Sequence, residues 1–378
     1  MSKVKAISGA TSEQLADLDA VARKYGRDTQ FSASECADAL SYMALAGWDV
    51  ESMTAGLPGV LNLAAASEMD LAKSSDIVTD YMTAFGWEAN RAGEFADKMA
   101  FAMANSNTDT EMLGEAYKNC AATAESLHYS MEETTAAIMT MANAGVKGGE
   151  SGTALNAVMT RLATDTKGCA SALAEYGVAI YDEQGNMQSL SSILTGISGI
   201  WGNLTDEQQA NLAKIIAGQQ QYSSFQTIMK GLSDTAKESG QSFEDYTEAL
   251  MNCDGTATSM AETMTDNLQG DLKKLESAYQ DLQISIYNGV NTPLREIVQN
   301  VTSGVLPALS DLVNGVDGAD EKVSEAISGL FSTILPTMLK NIRKIISTGF
   351  SNIKNLAGFV KNIVETLTSN FISELPKL

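Results

Sequence analysis

The sequence predicts an all-α protein: a multi-helix bundle of short glycine-terminated helices with one small β-hairpin, then long amphipathic C-terminal helices. Three observations carry that expectation. Serine or threonine residues are followed three positions later by Glu or Gln, and then by apolar residues at spacings of three and four, the pattern of a capped amphipathic helix. Glycines close the same segments. Residues 59–292 hold no helix-breaking proline, since the five prolines are Pro58, Pro293, Pro307, Pro336 and Pro376.

The first segment, "ATSEQLADLDAVARKYG", opens with a Thr11–Gln14 capping box, carries Leu15, Leu18, Val21, Ala22 and Tyr25 on one face, and is read as ending at Gly26. "FSASECADALSYMALAG" runs from Ser32 with Glu35 to Gly47, and "YSMEETTAAIMTMANAG" from Ser130 with Glu133 to Gly145. These last two share one design. At an offset of 98, Ser32, Glu35, Ala39, Met43, Ala44, Ala46 and Gly47 meet Ser130, Glu133, Ala137, Met141, Ala142, Ala144 and Gly145. Each copy is followed by a short loop and another helix, so about 31–66 and 129–163 read as an internal helix–loop–helix duplication.

Further on, "GVAIYDEQGNMQSL" (177–190) alternates Val178 and Ile180 before a DEQGN turn and predicts the β-hairpin. "LSSILTGISGIWGNL" and "LTDEQQANLAKIIAGQQQYSSFQTIMKGL" return to helix, the latter capped by Thr205 or Asp206. The texture changes near residue 257. "TSMAETMTDNLQGDLKKLESAYQDLQISIYNGV" reads as one long amphipathic helix with Leu268, Leu272, Leu275, Tyr279, Leu282 and Ile286 on a stripe, punctuated afterwards by Pro293 and Pro307. In the last segment Phe331, Leu335, Met338, Ile342, Ile345, Ile353, Leu356, Val360, Ile363 and Leu367 nearly hold a 3.5-residue period, with Lys340, Arg343, Lys344, Lys354 and Lys361 between them. Such a helix buries its stripe on a partner helix or on a membrane surface. The expected division is a helical core over 1–256, a long helix with its proline-punctuated connection over 257–320, and a slightly basic amphipathic segment over 321–378.

Composition narrows the function. Of 378 residues, 44% are apolar and 19% charged, the balance of a folded chain. A formal charge of −22 argues against nonspecific nucleic-acid binding, which needs clustered Lys and Arg. Residues 321–378 hold seven Lys/Arg and four Asp/Glu, a local +3, so the preceding residues carry −25. Cys36, Cys120, Cys169 and Cys253 stand far apart with no CxxC and no metal spacing, and read as buried free thiols. "MSKVKAISGATSEQ" has no apolar signal region, and the longest uncharged runs near the C-terminus fall short of the roughly 18 residues that cross a bilayer.

A glycine-rich stretch, "NAGVKGGESGTALNAVMTRL" (143–162), raises the possibility of a phosphate loop and fails it. A P-loop requires Gly-Lys-Ser/Thr, which is missing, and a dinucleotide fingerprint ending at Gly152 requires a glycine where Lys147 stands. The preceding segment is also helical, whereas both motifs follow a strand. A helix C-cap followed by a new helix, capped by Ser151 or Thr153, accounts for the glycines. His128 is the single histidine and has no GxSxG to serve. Acidic pairs such as Asp182–Glu183 and Glu132–Glu133 are common at loops and helix starts, and "DLVNGVDGADEK" puts its carboxylates at the wrong positions for an EF-hand. No catalytic, cofactor-binding or metal residue is assigned, and no enzyme activity is expected.

The ordered phrases "YGRDTQFSASECADALSYMALAGWDVESM", "SMEETTAAIMTMANAGVKGGESGTALNAVMTRLA", "YGVAIYDEQGNMQSLSSIL", "LTDEQQANLAKIIAGQQ" and "DNLQGDLKKLESAYQDLQISIYNGVNTPL" resemble the core region of phage tail tape measure proteins over about residues 10–320. The resemblance implies a structural protein of a tailed phage or prophage that templates tail-tube length and leaves ahead of the DNA. It implies a place in the virion tail lumen, with host cytoplasm during assembly. The implied partners are the tail tube protein, tail assembly chaperones, distal tail or baseplate proteins and further copies of the chain in a helical bundle, with contact to the host membrane also open. The family brings no shared catalytic residues. The alternative reading is a membrane-active helical effector working through the C-terminal amphipathic helix.

Overall fold

The computed structural model of the chain describes residues 1–165, 168–238, 243–314, 316 and 318–329. The predicted apolar stripe from Phe331 to Leu367 lies outside the described residues. Inter-residue contacts divide the chain into two units, Met1–Ala278 and Tyr279–Leu378.

The first unit begins with α1 (Ser2–Ser8), α2 (Ser12–Asp28), α3 (Ala33–Leu45), α4 (Val50–Ala66) and α5 (Leu71–Ala84). A short 3-10 turn (Ala89–Arg91) leads into α6 (Ala92–Asn105), followed by α7 (Thr110–Ser126), α8 (Met131–Asn143) and α9 (Gly148–Ala163). The bounds recur. Adding 98 to α2 and α3 gives the bounds of α7 and α8, and adding it to α4 gives α9 to within one residue. An offset of 38 carries α2 onto α4 and α3 onto α5, again to within one residue. Each helix also packs on its second neighbour: α2 on α4, α3 on α5, α4 on α6, α5 on α7, α6 on α8 and α7 on α9. The result is a layered helical array in which every helix buries a face on the next but one.

Local sequence explains the regularity. Thr11 with Gln14, Ser32 with Glu35, Ser130 with Glu133 and Thr205 with Gln208 all form complete capping boxes. At the other end, α3 and α8 stop at Gly47 (φ 85°) and Gly145 (φ 96°), where the chain enters the left-handed region that a side chain resists. The amide of the following residue then returns to the last turn, Trp48 N–H to the Met43 carbonyl and Val146 N–H to the Met141 carbonyl. Gly26 behaves differently from its sequence reading. α2 continues past it to Asp28, and a Cβ on Gly26 would collide with the backbone of Ala33, so this glycine permits close packing of α2 on α3.

After the array come α10 (Cys169–Ala174), α11 (Leu190–Trp201), α12 (Asp206–Ile216), α13 (Tyr222–Glu238), α14 (Phe243–Met251) and α15 (Thr256–Thr265). They return over the array: α13 and α14 pack on α8, and α15 lies against α4 and α6. One buried apolar cluster runs through all of it, from Val4 to Ala261. The predicted helical stretch over 204–232 is two helices, α12 and α13, parted at Gly218, which has a positive φ.

The predicted β-hairpin is not formed. Among the described residues there is no strand; segment 177–190 closes through a single antiparallel bridge between Tyr181 and Met187. Asp182 holds the turn, its carboxylate accepting the amides of Gln184 and Asn186 at 2.9 and 2.8 Å, and the arms beyond it exchange only two backbone bonds, Asp182 N–H to the Asn186 carbonyl and Gln188 N–H to the Ile180 carbonyl. Val178 and Ile180, whose alternation suggested a strand, are buried in the helical core.

The predicted long helix from residue 257 is also interrupted. α15 ends at Thr265, Asn267 accepts the amide of Gly270 at 2.9 Å as a new cap, and α16 (Leu268–Asn300) begins. α16 runs through Pro293. The break falls later, at a wide π-type turn (Val301–Val305) before α17 (Leu306–Val313), which carries Pro307 in its first turn. In the second unit α17 packs on α18 (Ala319–Gly329), with Lys322 3.4 Å from Asp311.

Candidate functional site

The glycine-rich stretch 143–162 is the junction of α8 and α9. α9 starts after Lys147, whose side chain makes no capping bond. Ser151 and Thr153, read from sequence as possible caps, lie inside the helix and donate back to the Gly148 and Gly149 carbonyls at 2.7 Å. Gly152 is the residue that matters for packing. A Cβ there would strike the Ala116 carbonyl, so the glycine sets how closely α9 approaches α7. Asn119 on α7 donates to the Gly149 carbonyl at 3.1 Å and fastens the same contact.

The acidic pairs have structural work as well. Glu133 completes the Ser130 cap through one oxygen and accepts the Ser191 amide at 3.1 Å through the other, tying the start of α8 to the start of α11. Asp182 holds the 182–186 turn. His128 sits in the left-handed region (φ 59°) between α7 and α8 and is exposed. The four thiols are buried, and burial pushes Cys36 and Cys120 up to about 12 and Cys169 and Cys253 up to about 11. Thiols held that far above neutrality are poor nucleophiles.

The densest polar constellation in the first unit was not singled out from sequence, and it centres on Lys98 of α6. Its side chain is only 2% exposed, and its ammonium lies 3.0 Å from Glu132 and 3.3 Å from Glu94. It also donates to the Leu250 carbonyl at the end of α14, 2.9 Å away. Burial opposes the charge, but the Glu132 bond and the neighbouring acids outweigh it and leave the pKa above the usual lysine value. Next to it, Asp97 accepts the Gly255 and Ala257 amides at 2.8 Å each and so caps α15 from across the chain. Arg91 forks onto Glu94 at 2.7 and 2.8 Å and stacks 3.6 Å from the Trp87 ring. That bond holds the Glu94 carboxyl below its ordinary range. Together these groups clamp the returning helices α14 and α15 onto α6 and α8. The sequence carries no motif for this cluster, because Lys98 and its partners are scattered over residues 87–257.

Among the described residues no group of three or more His, Cys, Asp or Glu is placed to hold a metal ion. The polar side chains that the fold gathers in the first unit serve caps, clamps and close helix approach. Comparison with known proteins gives the family. The chain belongs to the phage-related minor tail protein family, whose profile matches residues 19–218, from within α2 to just past α12. It is 36% identical over 339 residues to the tape measure protein of Pneumococcus phage Dp-1, covering 90% of this chain and 28% of that protein. It is 29% identical over 309 residues to the probable tape measure protein of Escherichia phage P2, covering 81% of this chain and 37% of that one. The chain thus spans well under half the length of these curated relatives. No solved structure matches it. Nothing in these comparisons supports the membrane-effector alternative, and among the described residues no helix is long and apolar enough to cross a membrane.

Proposed function

We propose that this chain acts in a phage tail as a tape measure, templating the length of the tail tube during assembly and leaving ahead of the DNA. The observation that carries the reading is the pair of alignments with tape measure proteins, which cover 90% and 81% of this chain. Its work is structural and non-catalytic, in the tail lumen of the virion after assembly in the host cytoplasm. Its partners are the tail tube protein, assembly chaperones and distal tail or baseplate proteins. The recurring helix bounds support the reading of about 31–66 and 129–163 as an internal helix–loop–helix duplication within the 1–256 core.

Helical rise supplies the ruler. Each helical residue adds ~1.5 Å, so an in-frame deletion of about 30 residues within 257–378 shortens tails by roughly 45 Å in the phage or prophage that encodes the chain. Electron microscopy of the tails is the measurement. Tails of unchanged length would overturn the proposal.

A further inference from the structure

Two places in the first unit correspond at the offset of 98, and one is filled where the other is open. Leu57, Val60, Leu61 and Ala64 of α4 are buried, as are Leu155, Val158, Met159 and Leu162 of α9. Phe31 ahead of α3 and Tyr129 ahead of α8 are buried at matching positions as well. Phe31, Ala64 and Ala65 therefore hold the stations that Tyr129, Leu162 and Ala163 hold further along the chain.

At the later place a tyrosine fills the space. The Tyr181 hydroxyl lies 3.2 Å from the Ala163 carbonyl and 3.5 Å from the Leu162 carbonyl, donating to the end of α9. Met187, at the other side of the same turn, sits 3.8 Å from the Tyr129 hydroxyl through its sulfur. Both Tyr181 and Met187 pack on the core. At the earlier place the corresponding wall borders an open cavity of about 320 Å³. Ala64 is smaller than Leu162 and leaves room there. Met69, just past α4, and Met264 and Lys273 at the α15–α16 junction close the other sides.

We propose that this cavity is a binding seat for a tyrosine side chain carried on a basic segment of a partner polypeptide. Phe31, Ala64 and Ala65 offer the ring an apolar wall, and the Met69 and Met264 thioethers suit an aromatic edge. The Ala65 carbonyl stands at the station of the Ala163 carbonyl, which takes the Tyr181 hydroxyl, and the exposed Glu68 adds a carboxylate at the rim. A ring with a hydroxyl satisfies both the wall and the acceptors, which an aliphatic side chain does not. The volume falls within the roughly 300–1,000 Å³ of sites that take small groups. Charge selects the carrier. Residues 1–320 hold a net −25, so a second copy of the chain is repelled and a basic segment is drawn in.

The experiment uses the full chain with its methionine methyls labelled with carbon-13, titrated with acetyl-Lys-Tyr-Lys-amide up to ~10 mM, the range of a single anchoring side chain. The Met69 and Met264 methyl signals should move upfield under the ring and saturate. Acetyl-Lys-Ala-Lys-amide should leave them in place. Equal shifts with both peptides, or none with the tyrosine peptide, would overturn the proposal. Shifts of the same two signals on raising the protein concentration without peptide would give the cavity to a second copy and would also overturn it. Ala64→Leu restores the residue type of the filled place and should weaken binding at least about tenfold. Gln269→Trp covers the mouth from an exposed position, so it should do the same with the fold untouched. Undiminished binding in Gln269→Trp would put the peptide elsewhere and refute the seat. The seat does not depend on the tape measure reading, since tail length plays no part in the measurement.

Discussion

In α9, Leu155, Val158, Met159 and Leu162 are buried, and Gly152 brings the helix against Ala116 of α7. In α16, Leu268, Leu272 and Leu275 stand exposed while Gly270 and Ser277 face the body. Both helices are amphipathic by sequence, so periodicity alone does not separate them. The position of the small residues does. At 3.6 residues per turn, Gly152 lies within about 60° of Leu155 and Met159, so close approach and apolar burial share one face. Gly270 and Ser277 lie about 140–180° from the leucines, so close approach turns the apolar stripe away. A small-residue edge therefore decides which side of a helix docks, and the apolar stripe follows only when the two coincide.

The comparison breaks if the array is not the rigid, tightly packed partner that α16 leans on, and alkaline pH tests that with the largest effect. Cys36, Cys120, Cys169 and Cys253 all lie in the first unit, with folded pKa values raised by burial from 9.0 to about 12, 12, 11 and 11. A raised folded pKa gives stability that is complete below the unfolded value and is lost as pH climbs toward the folded one. The window therefore opens at about 9 and closes near 11–12. Each thiol costs on the order of 1 kcal/mol per pH unit inside it. The melting temperature should hold from pH 7 to 8.5 and fall steeply by pH 10; a flat profile would mean the thiols are open to solvent.

Removing the clamp comes next. Lys98→Met leaves Glu132, whose side chain is 12% exposed, and Glu94 without their buried cation, and the Leu250 carbonyl without its donor. Breaking one side of a buried pair costs about 3–5 kcal/mol. Hydrogen exchange should show α14 and α15 opening first, and a loss below about 1 kcal/mol in denaturant melts would show that the clamp does not hold them. Gly152→Ala is smaller. Its methyl must push α9 off the Ala116 backbone, costing about 1–3 kcal/mol as overpacking. A neutral result would show that α7 and α9 can slide apart freely and would remove the small-edge argument.

How much of this was legible depends on whether a structural cause was local in sequence. Thr11–Gln14, Ser32–Glu35, Ser130–Glu133 and the terminators Gly47 and Gly145 act within a few residues, and each formed as its pattern implied. Gly26 looked identical to a terminator, because sequence cannot tell a glycine that ends a helix from one that admits a neighbour. Segment 177–190 alternated like a strand, but the alternation came from two residues packing into helices around an Asp182 turn. Lys98 was invisible for the opposite reason, since its partners sit up to 152 residues away. The orientation of α16 needed both facts at once, the heptad and the location of its packed edge.

That orientation yields the smallest expected effect. If α16 docks through Gly270 and Ser277, its leucines contribute nothing to the folding of the array, and Leu275→Gln should leave the unfolding of α2–α9 within about 0.5 kcal/mol of the parent, as at other exposed sites. Had the stripe faced inward, the same change would delete buried apolar surface and place an amide in the core, a loss of about 2–5 kcal/mol. Denaturant unfolding followed by hydrogen exchange of the array peptides separates the two cases. Ser277→Leu should do the reverse. Its hydroxyl is buried against Gln30, so a larger apolar side chain there loosens α16 although it raises the hydrophobicity of the helix. If Leu275→Gln were the more damaging of the two, the small edge would not be what positions the helix, and the comparison with α9 would fail.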